Sequence, residues 1–140
     1  MNRKIFCSLL MCGLILITSA TSYAIDWIYS FDNGLEQAKE QDKPIMIDFY
    51  GESCSWCDVL DKKTYTDEEV NSLAEKFICV KIDVYKNRQV TNKYKIQGLP
   101  TIVFLNSEGE EMERIVGYRG PSAFVEIMRK VLSSHAAPAK

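Results

Sequence analysis

The chain has 140 residues, 46% of them hydrophobic and 26% charged, the balance of one soluble globular domain. Its formal net charge is -2, with Lys and Arg scattered among acidic residues. This leaves no basic stripe of the kind that displaces counterions from phosphates, so no nucleic-acid partner is expected.

The N-terminus departs from this average. Asn2, Arg3 and Lys4 form a short basic start, residues 5–17 are almost wholly apolar, and a small polar stretch ends in Ser22-Tyr23-Ala24. The apolar run is shorter than the ~20 residues a membrane-crossing helix needs. The three parts match the regions of a secretory signal peptide, with cleavage between Ala24 and Ile25. The expected organisation is a signal peptide over 1–24, one domain over 25–132 and a flexible tail over 133–140, in the periplasm or another exported location. The alternatives are an uncleaved membrane anchor and a lipid-modified Cys12, the latter disfavoured by Met11. Of five cysteines, Cys7 and Cys12 leave with the signal. Cys54, Cys57 and Cys79 then enter a compartment where disulfides persist.

Downstream, strands and helices alternate. Residues 27–29 read as a short strand and Phe31–Gln41 as a helix that Gly34 weakens and Pro44 ends. The run Ile45–Tyr50 has the continuous apolarity of a strand buried on both faces. A helix is predicted from Cys54 to about Lys63. The spacing of Thr66 and Glu69 predicts a capping box opening a helix over 67–76. Residues 77–84 form another buried strand and 87–95 a helix. Thr101–Leu105 and Glu111–Val116 pair as a hairpin around Asn106-Ser107-Glu108-Gly109. Pro121 suits the first turn of a last helix, with Phe124, Ile127, Met128 and Val131 inward. The order predicts an α/β fold, a central mixed sheet with helices on both faces.

Cys54-Ser55-Trp56-Cys57 follows a strand and opens a helix. Unpaired amides and the partial positive charge of a helix start favour a thiolate at the first cysteine. One turn on, the second cysteine is placed to attack a mixed disulfide formed by the first. The competing readings are a zinc half-site and a purely structural disulfide. Zinc would need a second ligand pair that the chain does not show, so no metal or other cofactor is expected. A disulfide across so short a loop adds little stability. Cys79 reads as a small buried hydrophobe, with a redox partner as the alternative.

Four motifs in order then resemble the thioredoxin superfamily: Ile47-Asp48-Phe49-Tyr50, Cys54-Ser55-Trp56-Cys57, Val80-Lys81-Ile82-Asp83 and Gly98-Leu99-Pro100-Thr101. Val116-Gly117-Tyr118 stands where the family has a strand-end glycine. The helix before Pro44 and the segment from Thr64 to Val70 are similar to periplasmic thioredoxin-like reductases and to the C-terminal domain of transmembrane thiol-disulfide interchange proteins. The resemblance implies a thioredoxin fold, Cys54 as nucleophile and Cys57 as resolving cysteine. It implies a cis-proline at Pro100 that turns the Leu99 backbone toward substrate. It implies Asp48 as a buried acid that takes the Cys57 proton, and Lys81 as its partner. Trp56 is placed to contact substrate. The alternatives are a trans edge proline, a strand-end acid facing water, a snorkelling lysine and a tryptophan packed on its helix. Ser53, Ser55 and Trp56 depart from thioredoxin itself around the cysteine pair, where the redox potential is tuned.

The expected function is an extracytoplasmic thiol-disulfide oxidoreductase that reduces protein disulfides. Its expected partners are protein disulfides or dithiols and a membrane-bound electron donor, and the expected state is monomeric. The alternatives are a redox-quiet binding module on the same fold and a disulfide oxidase or isomerase.

Overall fold

The computed structural model describes residues 24–137. The reading of a signal peptide falls almost entirely on residues 1–23, outside the described residues. Four strands make one sheet in the order β2-β1-β3-β4, from β1 (Ile45–Tyr50), β2 (Ile78–Asp83), β3 (Thr101–Leu105) and β4 (Glu111–Val116). β1 runs parallel to β2 and antiparallel to β3, and β3 pairs antiparallel with β4. The sheet is therefore mixed, as expected.

Strand periodicity of two sends alternate residues to opposite faces. On one face Ile45, Ile47 and Phe49 of β1 join Ile78, Val80 and Ile82 of β2 under α1 (Phe31–Gln41) and α4 (Arg88–Lys93). On the other, Met46, Cys79, Ile102 and Phe104 pack with Leu60, Val70, Phe124 and Met128. Those partners come from α2 (Ser55–Val59) with the turn after it, α3 (Glu68–Ala74) and α5 (Pro121–Ala136). The continuous apolar run of β1 has this cause: both its faces are covered. Asp48 is the polar exception, on the second face between Lys81 and Ile102 in register.

Several expectations need correction. The first strand is only a single parallel bridge, Ile28 to Val80, made by Ile28 N–H to Cys79 and Lys81 N–H to Ile28. The helix after the cysteines does not remain α: residues Leu60–Thr64 form a π turn, with Tyr65 N–H reaching back to the Leu60 carbonyl at 3.0 Å. The Thr66/Glu69 capping box is absent. Asp67 caps α3, its Oδ1 accepting from Glu69 and Val70 N–H at 3.0 and 3.1 Å, while the Thr66 hydroxyl donates to the Lys62 carbonyl. A carboxylate reaches two amides that the hydroxyl does not, and its charge suits the helix start. Asp67→Ala should therefore cost about 1 kcal/mol in urea unfolding. Thr66→Ala should stay within about 0.5 kcal/mol; the reverse order would restore the capping box.

The last helix also runs on to Ala136, through residues read from sequence as a flexible tail. Its final turn is held to the end of α1, where His135 Nε2 lies 3.1 Å from the Asp42 carbonyl; within α5 the Ser133 hydroxyl donates to the Arg129 carbonyl. Inside α5, Phe124, Met128 and Val131 are buried as expected, joined by Val125, and Ile127 is only partly covered.

Candidate active site

Gly51, Glu52 and Ser53 link the C-terminal end of β1 to Cys54, so the site sits at that end of the parallel strands. Gly51 is buried because Tyr85 and Leu99 close over it: a Cβ here would stand 2.8 Å from Tyr85 Cε2 and 3.0 Å from Leu99 Cδ1. Ser53 adopts a left-handed backbone at φ 62°, a conformation that costs a non-glycine residue about 1 kcal/mol. This turn delivers Cys54 as the N-cap of α2, where its sulfur accepts from Cys57 N–H at 3.2 Å.

Cys54 and Cys57 are joined by a disulfide, with Cα atoms 5.3 Å apart. Cys54 is half-buried and Cys57 buried. The accessible sulfur is thus the first one. Around it lies a groove of about 400 Å³ lined by Glu52, Cys54, Trp56, Tyr85, Gln97, Gly98 and Leu99, with Ser53 and Ser55. Trp56 and Tyr85 are 57% and 62% exposed, so both rings present apolar surface to solvent. Trp56 stacks on Tyr118 with ring centres 5.6 Å apart. The Leu99–Pro100 peptide bond is cis. Pro100 is buried behind the groove, its carbonyl accepting from Gly117 N–H at 2.8 Å, and Leu99 supplies the groove surface.

Behind the cysteine helix the sheet carries a charged cluster. Asp48 is 1% exposed. Its Oδ2 lies 3.4 Å from Lys81 Nζ, and the same ammonium is 2.5 Å from Asp61 Oδ1. The rings of Trp27, Tyr50 and Tyr65 surround that ammonium at 5.2, 5.4 and 5.6 Å. Burial raises the Asp48 carboxyl to about 7, despite the opposing pull of Lys81. Burial alone would lower the Lys81 ammonium, but Asp48 and Asp61 more than reverse this and hold it above its ordinary value. Asp48 Oδ1 has no hydrogen-bond partner, and neither does the Tyr65 hydroxyl, which stands near enough to act on the carboxyl's charge without completing a bond to it. Burial pushes Tyr65 well above the ordinary phenol range, so it is a neutral neighbour.

The sequence-predicted residues thus fall into two groups. Cys54, Trp56 and Leu99 surround one opening, with Cys57 covered and Pro100 buried behind it, and Asp48 and Lys81 meet on the sheet face that the cysteine helix covers. Asp61, Tyr65, Tyr85, Gly51 and Glu52 went unrecognised. Asp61 had a signal in its position four residues after Cys57, one turn along the same helix face. Tyr85 is set by Asp83, whose Oδ1 accepts from the Tyr85 and Lys86 amides at 2.9 and 3.3 Å. The side chain of Cys79 donates to the Ala74 carbonyl, and burial raises its thiol to about 12, so it stays protonated and unreactive.

A dithiol pair on this sheet, one sulfur reachable and one covered, defines a thiol-disulfide oxidoreductase. The thioredoxin-like domain family matches residues 31–132, and the chain belongs to that family. It is 32% identical over 108 residues to the thiol:disulfide interchange protein DsbD of Klebsiella pneumoniae, covering 73% of this chain and 18% of that protein. The DsbD of Vibrio cholerae is 32% identical over 100 residues, covering 67% of this chain and 17% of that protein. The chain therefore spans less than a fifth of the length of these curated relatives. Among solved structures, a Thermus thermophilus thioredoxin aligns with a TM-score of 0.73 and 25% identity, covering 81% of this chain and 92% of that one. The DsbH oxidoreductase aligns at 0.70 and 25%, covering 84% and 92%. The reduced DsbD C-terminal domain of Neisseria meningitidis shares the fold at 0.63 and 23%, covering 71% and 91%.

Proposed function

We propose that this protein reduces protein disulfides outside the cytoplasm, after removal of residues 1–24 as a signal peptide, with a membrane-bound electron donor restoring its dithiol. The domain would then be residues 25 onward, acting as a monomer. The observation that carries this reading is the Cys54–Cys57 pair above a buried carboxyl raised to about 7 with one oxygen unpaired. The DsbD relatives, named as thiol:disulfide interchange proteins, support the exchange chemistry.

In the dithiol form the Cys54 thiolate, favoured at the helix start, attacks one sulfur of a substrate disulfide. One protein–substrate disulfide forms and the other substrate sulfur leaves as a thiol. Cys57 then loses its proton to Asp48 and attacks Cys54 sulfur. The second substrate thiol is released and the Cys54–Cys57 disulfide remains, two electrons having passed to the substrate. The disulfide seen here is that product state. Lys81 positions Asp48, and Trp56 and Leu99 form the surface on which the substrate chain lies, with Pro100 shaping the Leu99 backbone from behind it.

With dithiothreitol as electron source, the protein should reduce and precipitate insulin, and Cys54→Ser should lose that activity to the uncatalysed background. Wild-type turnover no faster than the Cys54→Ser variant would refute the reading. Cys57→Ser should instead accumulate a stable mixed disulfide with its substrate.

A further inference from the structure

Resting on the reductase reading, the inference concerns which disulfides the groove takes. Of its nine lining residues only Glu52 is charged. Glu52 is exposed, and among the described residues it makes no salt bridge, whereas Lys86, next in sequence to Tyr85, is turned to Asp83 at 3.5 Å. Glu52 is two residues before Cys54, and the left-handed turn at Ser53 fixes how the chain passes between them. In the same groove Trp56 and Tyr85 offer exposed aromatic surface, and Leu99 and Gly98 complete its apolar lining.

We propose that this groove selects an extended polypeptide segment whose reacting cysteine is flanked by a basic side chain, with Glu52 as the specificity-determining residue. An apolar bed gives contact to any exposed chain, and it does not discriminate by sequence. A single uncompensated carboxylate beside the accessible sulfur does. It attracts a Lys or Arg beside the incoming disulfide and repels an Asp or Glu. Because the carboxylate is exposed, the selection is modest and falls with salt.

The test uses two short peptides, each carrying one cysteine as a mixed disulfide with the same small thiol. They differ only in Arg or Glu beside that cysteine. The reduced protein should react with the Arg peptide roughly threefold faster than with the Glu peptide at low salt, and the ratio should approach one in 1 M NaCl. Glu52→Gln should abolish the ratio and Glu52→Lys should invert it. Each peptide's intrinsic reactivity toward dithiothreitol is divided out. Equal corrected rates for the two peptides, or a preference that survives in Glu52→Lys, overturn the proposal. Insulin reduction in parallel separates the two readings: insulin turnover without charge preference removes only the role of Glu52, and no reduction of insulin or peptides removes both.

Discussion

Asp48→Asn should stabilise the disulfide form of this protein by about 2 kcal/mol at pH 8 while slowing release of substrate from the mixed disulfide by roughly 100-fold or more. The two effects have one cause. In the fold Asp48 holds its proton up to about pH 7, against an ordinary value of 3.8. Between those values the unfolded chain has released a proton that the native state keeps. The cost of ionising the buried carboxyl is thus absent below about pH 4, grows as pH rises, and is complete above 7. A displacement of that size corresponds to about 4 kcal/mol at most. Asparagine avoids it but gives up the charge facing Lys81, so about half should be realised. The stabilisation should vanish below pH 4, measured by urea unfolding across pH. An equal gain at pH 3 and pH 8 would show that packing, and not ionisation, is responsible.

The kinetic half follows from the same position. A proton acceptor works best with its value near the operating pH, and Asp48 keeps Oδ1 free of other donors. The rate of the second step in the wild type should rise with pH through about 7. The Asn variant should lack that inflection, in stopped-flow release of the second thiol. A wild-type rate that does not rise with pH through that region would remove Asp48 from the proton step.

Much of this was legible in the chain. Ile45–Tyr50 showed a doubly covered strand because six consecutive residues are apolar apart from Asp48, and the one exception marked the site. Cys54 and Cys57 could be read because their spacing is local and the chemistry of thiols is narrow. What escaped reading depends on contacts between distant residues or on small shifts of helical period. Gly34 was read as a weakness in its helix. In the structure it is buried against β2, where a Cβ would stand 2.5 Å from Val80 Cγ2, so the helix can approach the sheet only without a side chain. The π turn at Leu60–Thr64 leaves no mark in a pattern of 3.6. It buries Leu60 and Thr64 together, with the Thr64 hydroxyl donating to the Arg119 carbonyl at 2.7 Å, and Asp61 lies beside Lys81. A plain helix places Asp61 on the face of Cys57, but the Lys81 ammonium that gives it a role comes from a strand 20 residues away. Tyr85 gave no pattern because its place depends on an Asp83 turn and on the empty side of Gly51.

Lys81 and Asp61 should move the Asp48 inflection in opposite directions. Lys81 faces Asp48 at 3.4 Å and favours its charged form. Lys81→Met keeps the apolar stem among Trp27, Tyr50 and Tyr65 but removes the cation. The carboxyl then has burial without compensation, and the inflection should rise by about one pH unit or more. Above it, the variant should be less stable than wild type, because an unpaired buried carboxylate is costly. Asp61 acts on Asp48 twice. Its own negative charge raises the carboxyl, and its 2.5 Å contact draws the Lys81 ammonium away from Asp48. Asp61→Asn weakens both effects and leaves Lys81 to Asp48, so the inflection should fall below 7, by less than one unit since Asp61 is partly in solvent. The double variant should resemble Lys81→Met more than Asp61→Asn, because with no ammonium to share only the direct repulsion of Asp61 is left. Shifts of equal sign in the two single variants would mean that Asp61 serves Asp48 by some route other than Lys81 and its own charge.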